Sequence, residues 1–99
     1  MRVNSDHGAA LASIREPFTS HGSLSGVKGK TSTGYLPGAI ADAYHQRGQH
    51  ITYTVLSYAT PIAWHDDERG WIIPEVRYSV TTSKQQNKIR RAIRQYATT

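Results

Sequence analysis

Two runs rich in Thr, Val, Ile, Tyr and Trp, Ile51 to Trp64 and Trp71 to Val80, flank the polar hexapeptide His65-Asp66-Asp67-Glu68-Arg69-Gly70. Side chains of these types fit a pleated, half-buried surface, and a charged turn ending in Gly reverses the chain. The pattern predicts a β-hairpin with strands at about 51–64 and 71–80. Pairing Trp64 with Trp71 aligns Ile62 with Ile73, Pro61 with Pro74 and Tyr58 with Arg77. Pro has no ladder donor, so both prolines must take non-bonded or edge positions. A slip of one residue would exchange the two faces.

The segment that follows has a helical period. Thr82 with Gln85 three residues on has the form of a capping box, and the pattern runs from about 82 to 97. At 100° per residue, Ile89, Ala92, Ile93 and Tyr96 share one face, while Lys84, Lys88, Arg90, Arg91 and Arg94 occupy the opposite arc. Upstream, Leu36, Ile40, Ala43 and Tyr44 recur at helical spacing, Pro37 suits a first turn and Gly48 suits the residue just past the end, giving a short helix at about 37–47. Residues 19–34 turn to Gly, Ser, Thr and Lys, which reads as a short strand near Phe18 to Val27 and then a mobile basic loop. Residues 1–17 carry Ala9, Ala10, Leu11, Ala12 and Ile14 after a capping Asp6, and form either a short helix or an N-terminal arm.

A chain of 99 residues supports one modest core. The expected architecture is therefore α+β: residues 18–99 as a single domain, a small antiparallel sheet centred on the hairpin, and two flanking helices. Without Cys there are no disulfides, thiolate metal sites or cysteine nucleophiles. No run of apolar residues is long enough to cross a membrane. These traits predict a soluble cytoplasmic protein.

Little in the chain looks catalytic. Gly29-Lys30-Thr31 is similar to the end of a phosphate-binding loop, but the first glycine of that motif falls on Leu24. His65 beside Asp66 and Asp67 reads as a solvated turn rather than a metal site, and no zinc-protease or nucleophile-elbow pattern occurs. No catalytic residue, metal or cofactor is expected, and the chain is not expected to be an enzyme. Twelve Lys and Arg against seven Asp and Glu give a net charge of +5, which favours polyanionic partners. Lys84, Lys88, Arg91 and Arg94, with Arg77, are the candidate contacts to DNA or RNA. The alternative is a protein-binding face on the hairpin, where Tyr58, Trp64 and Trp71 dock a host protein or a second copy of the chain, unless a helix covers them.

The segments Leu56-Ser57-Tyr58-Ala59-Thr60-Pro61-Ile62-Ala63-Trp64 and Pro74-Glu75-Val76-Arg77-Tyr78-Ser79-Val80-Thr81-Thr82-Ser83-Lys84-Gln85-Gln86 carry a resemblance. Together with Gly22 to Gly26 and Gly34 to Pro37, they resemble a family of short uncharacterised proteins of actinobacterial phages and their hosts, over roughly residues 18–93. Gln86 stands where relatives often have His. The resemblance implies a phage accessory protein in the cytoplasm of an infected bacterium, and carries no activity with it.

Overall fold

The computed structural model describes residues 2–75 and 80–97. In chain order the elements are β1 (Arg2–Val3), α1 (Ser5–Ser13), β2 (Phe18–Ser20), β3 (Leu24–Lys28), α2 (Gly38–Gln46), a 3₁₀ turn (Gly48–His50), β4 (Ile51–Ser57), β5 (Thr60–Asp66), β6 (Gly70–Ile72) and α3 (Val80–Ala92). A π-helical turn, Ile93–Ala97, extends α3. The strands form one sheet in sequential order. All neighbours are antiparallel except β1 and β2, which run parallel on either side of α1. The fold is α+β, as the sequence predicts.

The hairpin differs from its expected form in two ways. The run 51–64 is not one strand, because Ser57 pairs with Thr60 and the chain reverses at Tyr58 and Ala59. The second turn is also tighter than expected. The Asp66 carboxylate accepts the Glu68 and Arg69 amides at 2.8 and 3.0 Å, so Asp66 pairs with Gly70 and only three residues lie between them. The register is thereby shifted by one: Trp64 faces Ile72 and His65 faces Trp71, so the expected Trp64–Trp71, Ile62–Ile73 and Pro61–Pro74 pairs do not form. Pairing stops at Ile72, just before Pro74, which has no donor to continue a ladder. Of the expected strand 71–80, residues 76–79 lie outside the described residues.

Alternation along the strands sends Tyr53, Val55, Ala63, His65 and Trp71 to one face and Thr54, Trp64 and Ile72 to the other. A bulge refines this. Pairing jumps from Val55–Ala63 to Leu56–Pro61, leaving Ile62 as the extra residue, buried in the same cluster as Ala63. α1 and α3 cover this first face, with Ala9, Ala12, Ile89 and Ala92 packed against Leu24, Tyr53 and Val55. Burying Ile89 alone contributes roughly 2 kcal/mol. α2 covers the opposite face, where Tyr44 and Leu36 pack on Ile51 and Trp64. Gly26 is required for the closure, because a Cβ there would overlap the Tyr53 hydroxyl and the Phe18 ring.

Residues 5–13 take the helical alternative. The cap is Asn4, whose side chain accepts the His7 amide at 2.7 Å, and Asp6 instead sits in the first turn. The helix ends in a Schellman pattern, Arg15 N to Ala12 O and Glu16 N to Leu11 O, with Arg15 at φ +60° where Gly is usual. The basic loop after β3 is tied down rather than loose. Thr31 donates its amide to the Tyr44 hydroxyl at 2.7 Å, which bonds Thr54 Oγ1 at 2.8 Å, and that hydroxyl donates to Gly29 O. Gly48 stands just past the end of α2, whose C-cap is Arg47, and there begins the 3₁₀ turn.

Candidate nucleic-acid interface

α3 already runs at Val80, so Thr82 lies in its third position, buried, and is not a cap. Gln85 does not reach back to the helix start. It accepts from Ser57 Oγ at 2.6 Å and donates to Ser23 Oγ at 2.8 Å, tying the helix to β4 and the β2–β3 turn. Gln86 donates to Ile62 O and Pro74 O at 3.0 and 2.9 Å. Ile62 has no Cα partner at the β5 bulge, and the amide of Gln86 gives its carbonyl a donor from the helix. The expected capping box is thus a pair of tertiary struts.

With the inner face so anchored, the cations point outward. Lys84, Arg91 and Arg94 are exposed. Lys84, Lys88 and Arg91 fall on one stripe of the helix, with Arg94 to one side. Lys88 is the exception in its environment, because it leans against α1 and contacts Ser5 Oγ at 2.7 Å and Asp6 Oδ1 at 3.1 Å. Together with Arg91, Gln95, Asp6, Ala9 and Ala92 it lines an open groove of about 240 Å³ between the two helices. Among the described residues, no carboxylate forms an ion pair with Lys84 or Arg91. Arg77, the remaining candidate, lies outside the described residues.

A cluster of acidic residues lies elsewhere. From Val80 to Ala97 there is no Asp or Glu, whereas Asp66, Asp67 and Glu68 stand together. Arg47 closes on that turn with a bidentate grip of Asp66 (Nε to Oδ2 2.8 Å, NH2 to Oδ1 2.9 Å) and a further bond to Glu68 at 2.9 Å. These hydrogen bonds, led by those from Arg47, hold the Asp66 carboxyl well below the usual carboxylate range, and the two carboxylates raise the guanidinium in turn. Burial, reinforced by the Arg15 charge, lowers the His65 imidazole. His65 bonds Thr52 Oγ1 and not its acidic neighbours, while His50 comes from the 3₁₀ turn to meet Asp67 and Glu68.

The expected aromatic face is not assembled. Trp64 is 3% exposed and lies edge-on to Tyr44, with ring centroids 4.7 Å apart. The register shift puts Trp71 on the opposite face, half-buried against Tyr53 and His65, with its indole nitrogen buried and unbonded. Tyr58 alone of the three is open to solvent, at 82% exposure, on the β4–β5 turn. Sequence reasoning missed the Arg47–Asp66 pair and the meeting of His50 with Asp67 and Glu68. Their partners are 17 to 21 positions apart, and no local motif signals the contact.

A profile for a "Family of unknown function (DUF8033)" matches residues 18–98. The chain belongs to that family. The match takes in the sheet from β2 onward, α2, and the whole of α3 with its cationic stripe, while β1 and α1 precede it. No curated protein and no solved structure gives a significant match to the chain. Among the described residues, no helix is long and apolar enough to cross a membrane.

Proposed function

We propose that this protein is a small non-catalytic accessory protein that binds nucleic acid through the phosphate backbone, along the stripe formed by Lys84, Lys88 and Arg91 with Arg94 at its side. The observation that carries the reading is a helix with cations and no Asp or Glu of its own, on whose outer face Lys84 and Arg91 have no carboxylate partner among the described residues, while Lys88 pairs with Asp6 of α1. Such a face releases counterions from a polyanion and needs no base contact to do so. The sequence resemblance supports a phage-encoded protein acting in the host bacterial cytoplasm.

Fluorescence anisotropy with a labelled duplex, from low to moderate salt, tests this. Four phosphate contacts give a slope of log K against log salt of about −3 to −4. Lys84→Glu with Arg91→Glu is expected to abolish binding at every salt concentration tested. No binding at low ionic strength, or an unchanged affinity in the double variant, overturns the reading. A single-stranded RNA probe run in parallel shows which nucleic acid is preferred.

A second reading has one observation in its favour. Tyr58 combines near-complete exposure with a left-handed backbone, φ +58°, and strain of this kind gathers at functional positions. It would serve as a single aromatic anchor for a host protein or a second copy of the chain, in place of the three-ring face. A partner that is retained after nuclease treatment and lost on Tyr58→Gly would support it over the first reading.

A further inference from the structure

We propose that His50, Asp67 and Glu68 form a surface site for a divalent transition-metal ion of the Zn²⁺ class, independent of the cationic helix. His50 Nδ1 stands 2.9 Å from Asp67 Oδ1 and 3.2 Å from Glu68 Oε1. The ligand atoms all lie within 4.8 Å of one another. An ion held at about 2.0–2.2 Å from each of three tetrahedral ligands requires them roughly 3.3 Å apart. His50 Nδ1 therefore has to draw back from each oxygen by only a few tenths of an ångström, while the two carboxylate oxygens, at most 4.8 Å apart, close by up to about 1.5 Å through rotation of exposed side chains. Ionised carboxylates only accept, so in the metal-free protein the hydrogen they share is the Nδ1 proton of the imidazole. Moving that proton to Nε2 turns the Nδ1 lone pair toward the two oxygens, and a metal ion takes the place of the hydrogen.

The ligands come from two segments that the fold binds to each other. Asp67 donates its amide to His50 O at 2.9 Å, linking the β5–β6 turn to the 3₁₀ turn. The Asp66 carboxylate is fully buried and holds the Glu68 and Arg69 amides, which fixes the backbone of the turn that carries Glu68. Arg47 donates to Glu68 Oε1, the kind of outer hydrogen bond that orients a ligating carboxylate. Its charge also weakens attraction for a second cation, which points to modest affinity. One imidazole nitrogen with two carboxylate oxygens favours Zn²⁺, Co²⁺ or Ni²⁺ over the all-oxygen octahedron that Mg²⁺ takes. All three ligands are at least partly exposed, so a fourth position is open to water or to a partner's donor.

The test is isothermal titration of the full-length protein with zinc chloride, with Co²⁺ absorption as a second readout of a tetrahedral site. The expected result is one saturable event. Removing an outer hydrogen bond typically weakens metal binding by about tenfold or more, and loss of a ligand in His50→Ala or Asp67→Asn should weaken it at least as much. His45→Ala, outside the cluster, leaves it unchanged. Thermal melts in EDTA establish that the variants are folded. Absence of saturation in the wild type overturns the proposal, as does a His50→Ala variant that binds zinc as the wild type does.

Discussion

Tyr58 occupies the first of two central turn positions with a positive φ that L-residues avoid, since the side chain crowds the neighbouring carbonyl. At 82% exposure its ring has little packing that could compensate. Tyr58→Gly is therefore expected to stabilise the fold by about 1 kcal/mol, read as a higher midpoint in urea with an unchanged slope. A loss of stability instead would mean that the ring is held by contacts within the fold. Arg15 at the end of α1 has the same backbone preference, but there the Schellman hydrogen bonds account for the conformation.

At the scale of elements, α3 is held by polar as well as apolar contacts. Ile89 and Ala92 bury against the sheet, yet they do not by themselves specify how the helix is set along it. Gln85 and Gln86 do so, because each reaches a defined sheet or turn group. Gln86→Met preserves volume but leaves Ile62 O and Pro74 O without their donor, so an expected loss of about 1–3 kcal/mol follows from two desolvated carbonyls. Chemical denaturation measures it. Near-neutral behaviour would show that water replaces the amide.

Across the whole molecule, charge is separated into an acidic turn gripped by Arg47 and a cationic helix at the far end of the chain. The acidic end makes the fold sensitive to acid. The folded-state value of His65 lies below its ordinary value of about 6.5, so the unfolded chain binds its proton first and stability begins to fall as pH drops below that point. Asp66 adds a second loss. Its stabilisation is complete above the unfolded carboxylate value of about 4 and is lost as pH falls further, toward the depressed folded value. Melting temperatures between pH 7 and 2 should therefore decline in two stages, and Asp66→Asn should lower the neutral plateau while flattening the second stage. A second stage that persists in Asp66→Asn would assign it to other carboxyls.

The sequence by itself determined what depends on neighbours in the chain. The α+β class, the helix at 37–47, the helical segment that ends near residue 97 and its division into apolar and cationic arcs all follow from spacing, because helical and strand periods are local properties. The single reading 51–64 failed for a local reason as well: Tyr58-Ala59 lacks the Gly or Asn by which such turns are recognised. Other features depended on tertiary structure alone. The one-residue register shift comes from Asp66 capturing the turn amides while Arg47, from another element, holds its carboxylate, and that shift sent Trp64 and Trp71 to opposite faces. Gln85 and Gln86 look like surface helix residues until a bulge in β5 provides the carbonyl that one of them bonds. The meeting of His50 with Asp67 and Glu68 likewise exists only where the 3₁₀ turn packs beside the β5–β6 turn, because contacts between distant segments leave no periodic mark on the chain.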